Sequence, residues 1–249
     1  MSRTVIVTGG GQGIGFAIAE KFVAEGDWVA IVDLKEEIAQ AAAERLGRAK
    51  AYVCDVTDED QVKATIQAIL NDRPSIDVLV NNAGMQYIAP VTDFPYAKFQ
   101  QVVNVILGGT FLMTKYSLPS MIDQKKGRII TISSGHGRRP DKYKSAYVAA
   151  KHAQIGFTNT VAMEYASEGI TANCVLPGPT RTQLIENQLA DLAHQDGTSE
   201  EEALQTHILG NQWLGRLLEP AELAASVYFL ASDQAGAITG EALGVTGGE

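Results

Sequence analysis

Short apolar runs rich in β-branched residues alternate along this chain with longer amphipathic stretches. TVIVT (4–8), WVAIVD (28–33), AYVCD (51–55), DVLVNN (77–82), RIITIS (128–133), ITANCVL (170–176) and ALGVT (242–246) read as seven strands. Between them, segments such as IGFAIAEKFVAEG and EDQVKATIQAIL repeat apolar residues at intervals of three and four, the stripe of a helix packed on one side. The alternation predicts an α/β fold, a doubly wound parallel sheet with helices on both faces. No internal repeat or low-complexity linker divides the 249 residues, so one domain over 1–249 is expected. One segment breaks the rhythm. Residues 181–218 are long and polar, and Leu184, Ile185, Gln188, Leu189 and Leu192 recur at helical spacing, which predicts a helical lid.

Composition narrows the partners. Twenty basic against twenty-nine acidic side chains leave a net charge of −9, which argues against nucleic acid or an anionic membrane surface and for a small molecule. Cys54 and Cys174 sit far apart in apolar runs and read as reduced packing residues, consistent with a cytoplasmic protein. No apolar stretch approaches the roughly 18 to 20 residues of a membrane span, and the first residues lack the pattern of a signal peptide. The histidines (136, 152, 194 and 207) have no metal-ligand spacing, so no catalytic metal is expected.

The first candidate site is TGGGQGIG, Thr8 to Gly15, between the first strand and the first helix. Free backbone N–H groups and a helix N-terminus there suit a dinucleotide pyrophosphate, and a missing Cβ lets a phosphate approach the main chain. The spacing of Gly9, Gly13 and Gly15 is G-x-x-x-G-x-G, not G-x-G-x-x-G, and no Gly-Lys-Ser/Thr follows as a P-loop requires. A tight turn without a ligand is the alternative. Asp33, at the end of the second strand, is suited to accept hydrogen bonds from an adenosine ribose, although an aspartate there is also a common turn residue.

The second is Tyr147 and Lys151, four residues apart and so on one helix face, where an ammonium can stabilise a phenolate for proton transfer. Alone, this spacing is equally that of a surface pair. Ser133 and Ser134 end a strand thirteen or fourteen residues earlier, at the carboxyl edge where open α/β sheets bind ligands.

With TGGGQGIG, Asp33, CDV (54–56), NNAG (81–84), Asn104 in VNV, Ser134, YVAAK (147–151) and PGPTRT (177–182) in order, the whole chain resembles the short-chain dehydrogenases/reductases. The resemblance implies a Rossmann-like fold and an NAD-dependent oxidoreductase acting on a secondary alcohol or ketone. It implies Tyr147 as acid/base, Lys151 lowering the tyrosine pKa and holding the nicotinamide ribose, Ser134 orienting the carbonyl, and Asn104 on a water-mediated proton path. Gly9, Gln12, Gly13, Ile14, Gly15 and Asp33 would hold the cofactor, with Asp55 and Val56 flanking adenine and Asn82 near the ribose. Pro177, Thr180 and Thr182 would border the nicotinamide. One departure is Thr246-Gly247-Gly248, where the family usually has Asp-Gly-Gly. A non-catalytic dinucleotide sensor would not need Tyr147, Lys151 and Ser134. The helix at 147–167 carries apolar residues beyond one face (Val148, Ile155, Phe157, Val161 and Met163). With the family's habit this implies a homotetramer, intramolecular burial being the alternative.

The loop HGRRPDKYK (136–144) sets Arg138, Arg139, Lys142 and Lys144 against Asp141 alone, between Ser134 and Tyr147. That predicts positive charge around the chemistry and an anionic substrate, or else a solvated basic loop. MQYIAPV, SGHG, KSAYVAAKH and IENQ resemble segments of bacterial D-3-hydroxybutyrate dehydrogenases, which implies a carboxylate held by Gln86, His136, Lys144 and Gln188. No aromatic residue follows Gly248, where those enzymes carry one. A bulkier acid, or a neutral aromatic, sugar or cyclic alcohol, is the alternative substrate.

Overall fold

All five residues of β1 (Thr4–Thr8) are buried, as befits a strand covered on both sides. Successive side chains leave in opposite directions: Val5 and Val7 join one apolar cluster, Ile6 the other. The computed structural model describes residues 2–248 except 184, 187–188, 190–192, 194–196 and 211. The remaining strands are β2 (Trp28–Asp33), β3 (Ala49–Val53), β4 (Val78–Asn81), β5 (Gly127–Ile132), β6 (Ile170–Pro177) and β7 (Ala242–Val245). They form one parallel sheet in the order β3-β2-β1-β4-β5-β6-β7. The order reverses between β1 and β4, which opens a crevice at the carboxyl edge of these strands.

Helices cover both faces. Helix α1 (Gly13–Ala24), α2 (Glu36–Leu46) and α8 (Pro220–Leu230) supply Ile18, Phe22, Ala39, Leu223 and Val227 to the cluster around Val5, Val7 and Ile31. Helix α3 (Glu59–Asp72), α5 (Gly109–Gln124) and α6 (Ser145–Tyr165) supply Ile66, Ile69, Met113, Met121 and Val161 to the cluster around Ile6, Leu79 and Ile129. Each such fully buried side chain contributes about 1.5–3 kcal/mol. Asp58 caps α3 by accepting hydrogen bonds from the Asp60 and Gln61 amides. Among the described residues no helix is long and apolar enough to cross a membrane.

The sheet register corrects five of the predicted strands: β6 runs on to Pro177, β7 ends at Val245, and β3, β4 and β5 shift where candidate site residues lie. Strand β3 lies at 49–53, not 51–55, because it pairs with Val29–Asp33, and Cys54 and Asp55 fall just beyond it. Strand β4 stops at Asn81, where its ladder with β5 ends. Strand β5 stops at Ile132, opposite Val175, so Ser133 and Ser134 follow the strand instead of ending it.

Helix α4 (Tyr96–Val103) runs into α5 through a π turn, Asn104–Gly108. Such wide turns gather at functional sites. Here the Ile106 carbonyl accepts hydrogen bonds from Thr110 Oγ1 at 2.7 Å and from Gln154 Nε2 of α6 at 3.1 Å, so the distortion is held by a neighbouring helix.

The excursion after β6 is closed at its neck. Arg181 N donates to Leu218 O and Leu218 N to Pro179 O, each at 2.8 Å, bridging Thr180 and Leu218. Beyond the neck, Gln183, Ile185, Glu186, Leu189 and Ala193 are helical, and α7 (Glu200–Ala203) leads into a π turn, Leu204–Ile208. Leu189, Ala193 and Ala203 form a small core of their own with Ile185, Leu204 and Ile208. Leu184, Gln188, Leu192 and His194 lie outside the described residues. Thr246–Gly248, where the family motif is altered, pins the end of the excursion: Gln212 Nε2 donates to Thr246 O, Trp213 N to Gly248 O and Leu214 N to Gly247 O.

Candidate active site

A cleft of about 1220 Å³ runs along the carboxyl edge of the sheet. At one end the glycine loop turns from β1 into α1. A Cβ on Gly15 would lie 2.2 Å from the Gly9 carbonyl oxygen, so only glycine allows the loop to close on the helix. Gly13 has φ +56° and faces Thr182 across the cleft, leaving its bare side toward the space a phosphate needs. Gln12 precedes the helix with extended backbone and gives no side-chain cap, so the first-turn N–H groups of α1 have no side-chain acceptor.

Asp33 Oδ2 accepts from Gly11 N at 3.2 Å and Oδ1 from Lys35 N at 3.3 Å, and the carboxylate lines the cleft. Lys35, the residue before α2, does not line it. Asn82 braces the loop: its amide donates to Thr8 O at 3.0 Å and Gly9 O at 3.1 Å. Asp55 Oδ1 accepts from Thr57 N and Oγ1, while Val56 packs where a Cβ on Gly109 would stand only 2.7 Å from it. Ile14, Pro177 and Thr180 line the same space. The residues fit a nicotinamide dinucleotide: a glycine-lined cradle at a helix N-terminus, with a carboxylate where an adenosine ribose would lie.

At the other end, Tyr147 and Lys151 project from α6. Ser133 and Ser134, adjacent in sequence, do different work. Ser133 Oγ donates to the Lys151 carbonyl at 2.9 Å and so anchors α6 on the sheet. Ser134 Oγ accepts from His136 N at 3.1 Å, and its hydroxyl reaches the Tyr147 phenol. Burial pushes the phenol pKa up and the Ser134 hydrogen bond pulls it down. Lys151 Nζ is 5.6 Å from the Tyr147 ring centre and donates to Ile132 O at 2.7 Å. Only 4 % exposed, it has its pKa lowered to about 7, because one carbonyl does not replace the water lost on burial. The helical spacing thus brings Lys151 near the ring but directs its ammonium first to the strand end. Asn104 opens the π turn and lines the cleft, as Gln100 and Tyr147 do.

The basic loop is less positive toward the cleft than its formal charge. Arg138 donates to the Ala242 carbonyl and Lys142 is exposed, so neither lines the cleft. Arg139, Asp141 and Lys144 do. Lys144 Nζ pairs with Asp141 Oδ2 at 2.7 Å, and His136 Nε2 stands 3.4 Å from the same oxygen. Burial, then the charge of Lys144, lowers the His136 pKa to about 4, so the ring is neutral at pH 7. Gln86 and His136 both line this end, and Gln188 lies outside the described residues. His152 is exposed, its Nδ1 2.9 Å from Val148 O. His207 lines the cleft from the excursion after β6 with Thr206 and Ile208, a trio that no motif singled out.

Fold and site together define a dinucleotide-dependent alcohol dehydrogenase architecture, and residues 3–193 match the family model described as short chain dehydrogenase. The chain belongs to that family, uses a nicotinamide dinucleotide (NAD or NADP) and is an oxidoreductase acting on secondary alcohols. It is 40% identical to the uncharacterized oxidoreductase YxjF of Bacillus subtilis, over 99% of this chain and 97% of that one. It is 34% identical to the D-beta-hydroxybutyrate dehydrogenase of Rhizobium meliloti, over 100% and 98%. It is also 34% identical to a 2,5-dichloro-2,5-cyclohexadiene-1,4-diol dehydrogenase of Sphingobium indicum, over 99% and 96%.

Proposed function

We propose that this protein is an NAD-dependent dehydrogenase of small 3-hydroxy acids, with 3-hydroxybutyrate as the leading substrate. The observation that carries the reading is the facing of Tyr147, Ser134 and Lys151 against the glycine loop, with Gln86, His136 and Lys144 at the same end. Bound along the cleft, the dinucleotide supplies a hydride acceptor. Ser134 hydrogen-bonds the alcohol oxygen and Tyr147 Oη takes its proton. Lys151, 5.6 Å from the Tyr147 ring centre, contributes positive charge near the phenol in its protonated form and a donor to the nicotinamide ribose, and Asn104 relays the proton to solvent through water. Lys144 receives the substrate carboxylate, oriented by Gln86, His136 and Gln188.

Asp33 supports NAD over NADP, since a carboxylate there repels a 2′-phosphate and Lys35 stays outside the cleft. The kcat/KM ratio of NAD to NADP is expected to exceed about tenfold, one favourable polar contact against one like-charge clash. Asp33→Asn should shrink that ratio, and equal efficiency in the unaltered enzyme would exclude the assignment.

A second reading is a neutral cyclic or aromatic alcohol. Asp141 on Lys144 favours it, as does equal identity to a diol dehydrogenase. Comparing kcat/KM for 3-hydroxybutyrate and for its uncharged amide decides between them. The anionic reading requires the acid to win and Lys144→Met to remove at least about tenfold of that advantage. A neutral preference, unmoved by Lys144→Met, ends it.

For assembly we infer a homotetramer. Val161 is consumed by the internal core, but Met163 is 81% exposed and Phe111, on the adjoining α5, 46%. Light scattering is expected to give four chains, and a monomer at working concentration would refute it. The two buried free thiols, Cys54 and Cys174, are consistent with a cytoplasmic protein.

A further inference from the structure

We propose that Asp141 is a built-in competitor for the substrate carboxylate at Lys144, and so a specificity-determining residue of this site. The inference rests on the anionic-substrate reading above and adds a residue that reading did not use.

Asp141 is the one carboxylate lining the substrate end of the cleft among the described residues; Asp33 and Asp55 line the dinucleotide end. Its Oδ2 sits 2.7 Å from Lys144 Nζ and 3.4 Å from His136 Nε2, the two cationic-type groups expected to receive a substrate acid. The Lys144 side chain is 13% exposed and the Asp141 side chain 35%, so the pair is partly shielded yet reachable from the cleft. The geometry is built into the loop. Pro140 precedes Asp141, and Tyr143 takes left-handed backbone (φ 65°), a conformation rare for a bulky residue. The Tyr143 carbonyl accepts from Ala89 N at 3.0 Å, fastening the loop to the segment that carries Gln86. Asp141 and Lys144, three residues apart across this turn, are therefore held facing each other.

A substrate carboxylate arriving at Lys144 meets an ammonium already neutralised, with a like charge a few ångströms away. His136, neutral at pH 7, adds no charge there, and the cation left beside the pair is Arg139, which lines the same cleft. An uncharged substrate is spared that repulsion and finds in Asp141 an acceptor for a hydroxyl or amide N–H. Asp141 thus lowers the preference for acids without touching the reacting carbon.

Asp141→Asn keeps the shape and removes the charge. The ratio of KM for 3-hydroxybutyramide to KM for 3-hydroxybutyrate is expected to rise by about three- to tenfold, the range of a partly exposed charge pair. Asp141→Ser is expected to move the ratio in the same direction, which guards against a folding defect peculiar to one variant. In a Lys144→Met background Asp141 stands unpaired and repels the acid directly, so the same replacement should raise the ratio at least as far. A merely structural Asp141 would change both KM values together. An unchanged or lowered ratio in either background overturns the inference. If the unaltered enzyme shows no Lys144-dependent preference for the acid, the anionic reading falls and the inference with it. If that preference is present and Asp141→Asn leaves it unmoved, the inference alone falls.

Discussion

Tyr147→Phe is expected to lower kcat by about 10²- to 10⁴-fold, the usual contribution of a positioned acid/base. The phenylalanine ring keeps the packing that Tyr147 makes with Val102, Ile106, Ala146 and Ala150, so the fold and the cofactor end stay intact. Only the transferable proton and its hydrogen bond to Ser134 are removed. Turnover measured alongside NADH binding by fluorescence titration separates the two effects. A variant within tenfold of normal turnover would exclude Tyr147 as the proton-transfer group.

The second large effect concerns Lys151, whose pKa burial lowers from the ordinary lysine value of 10.5 to about 7. Between these values the unfolded chain binds a proton that the folded protein has released. Folding stability therefore rises with pH across that window. Below pH 7 both states carry the proton and the penalty of burying the ammonium is present in full. The slope approaches about 1.4 kcal/mol per pH unit, or about 2 kcal/mol from pH 7 to 8.5. That window stops short of pH 9, where the raised thiols of Cys54 and Cys174 and the raised Tyr147 phenol start to act in the opposite sense. Lys151→Met removes the titrating group, so its urea midpoint should climb less over the same range. Parallel curves for the two proteins would show that Lys151 does not titrate near neutrality. The variant also loses the amine beside the phenol, 5.6 Å from its ring centre, so its turnover should fall with that of Tyr147→Phe.

Much of the architecture is readable from local pattern because its causes are local. A strand buried on both faces must be apolar throughout, so TVIVT and ITANCVL declare themselves. A loop that folds back on its own carbonyl at Gly9 must have glycine at 15, so the turn at the first helix is visible as letters. Tyr147 and Lys151 share a face because the helical repeat makes them do so. The ordered set of motifs then carried family membership.

What the letters left open depended on groups brought together from distant parts of the chain. Strand ends moved by one or two residues because the neighbouring strand, not local propensity, sets where a ladder stops. Ser133 and Ser134 are equivalent in composition, and only the approach of α6 makes one an anchor and the other a neighbour of the phenol. The neck of the excursion after β6 is a pairing of residues 180 and 218, with no trace in either segment alone.

Charge shows the division most clearly. Counting residues 136–144 gives a basic loop, and the count is correct. Hydrophobic patterning and backbone sterics act between near neighbours, so the sequence alone suffices to specify the sheet, the glycine turn and the Tyr147–Lys151 face. Electrostatics acts through space and depends on burial. Only the tertiary fold could turn Arg138 away, lower Lys151 to about 7, and set Asp141 against Lys144 in the wall of the cleft.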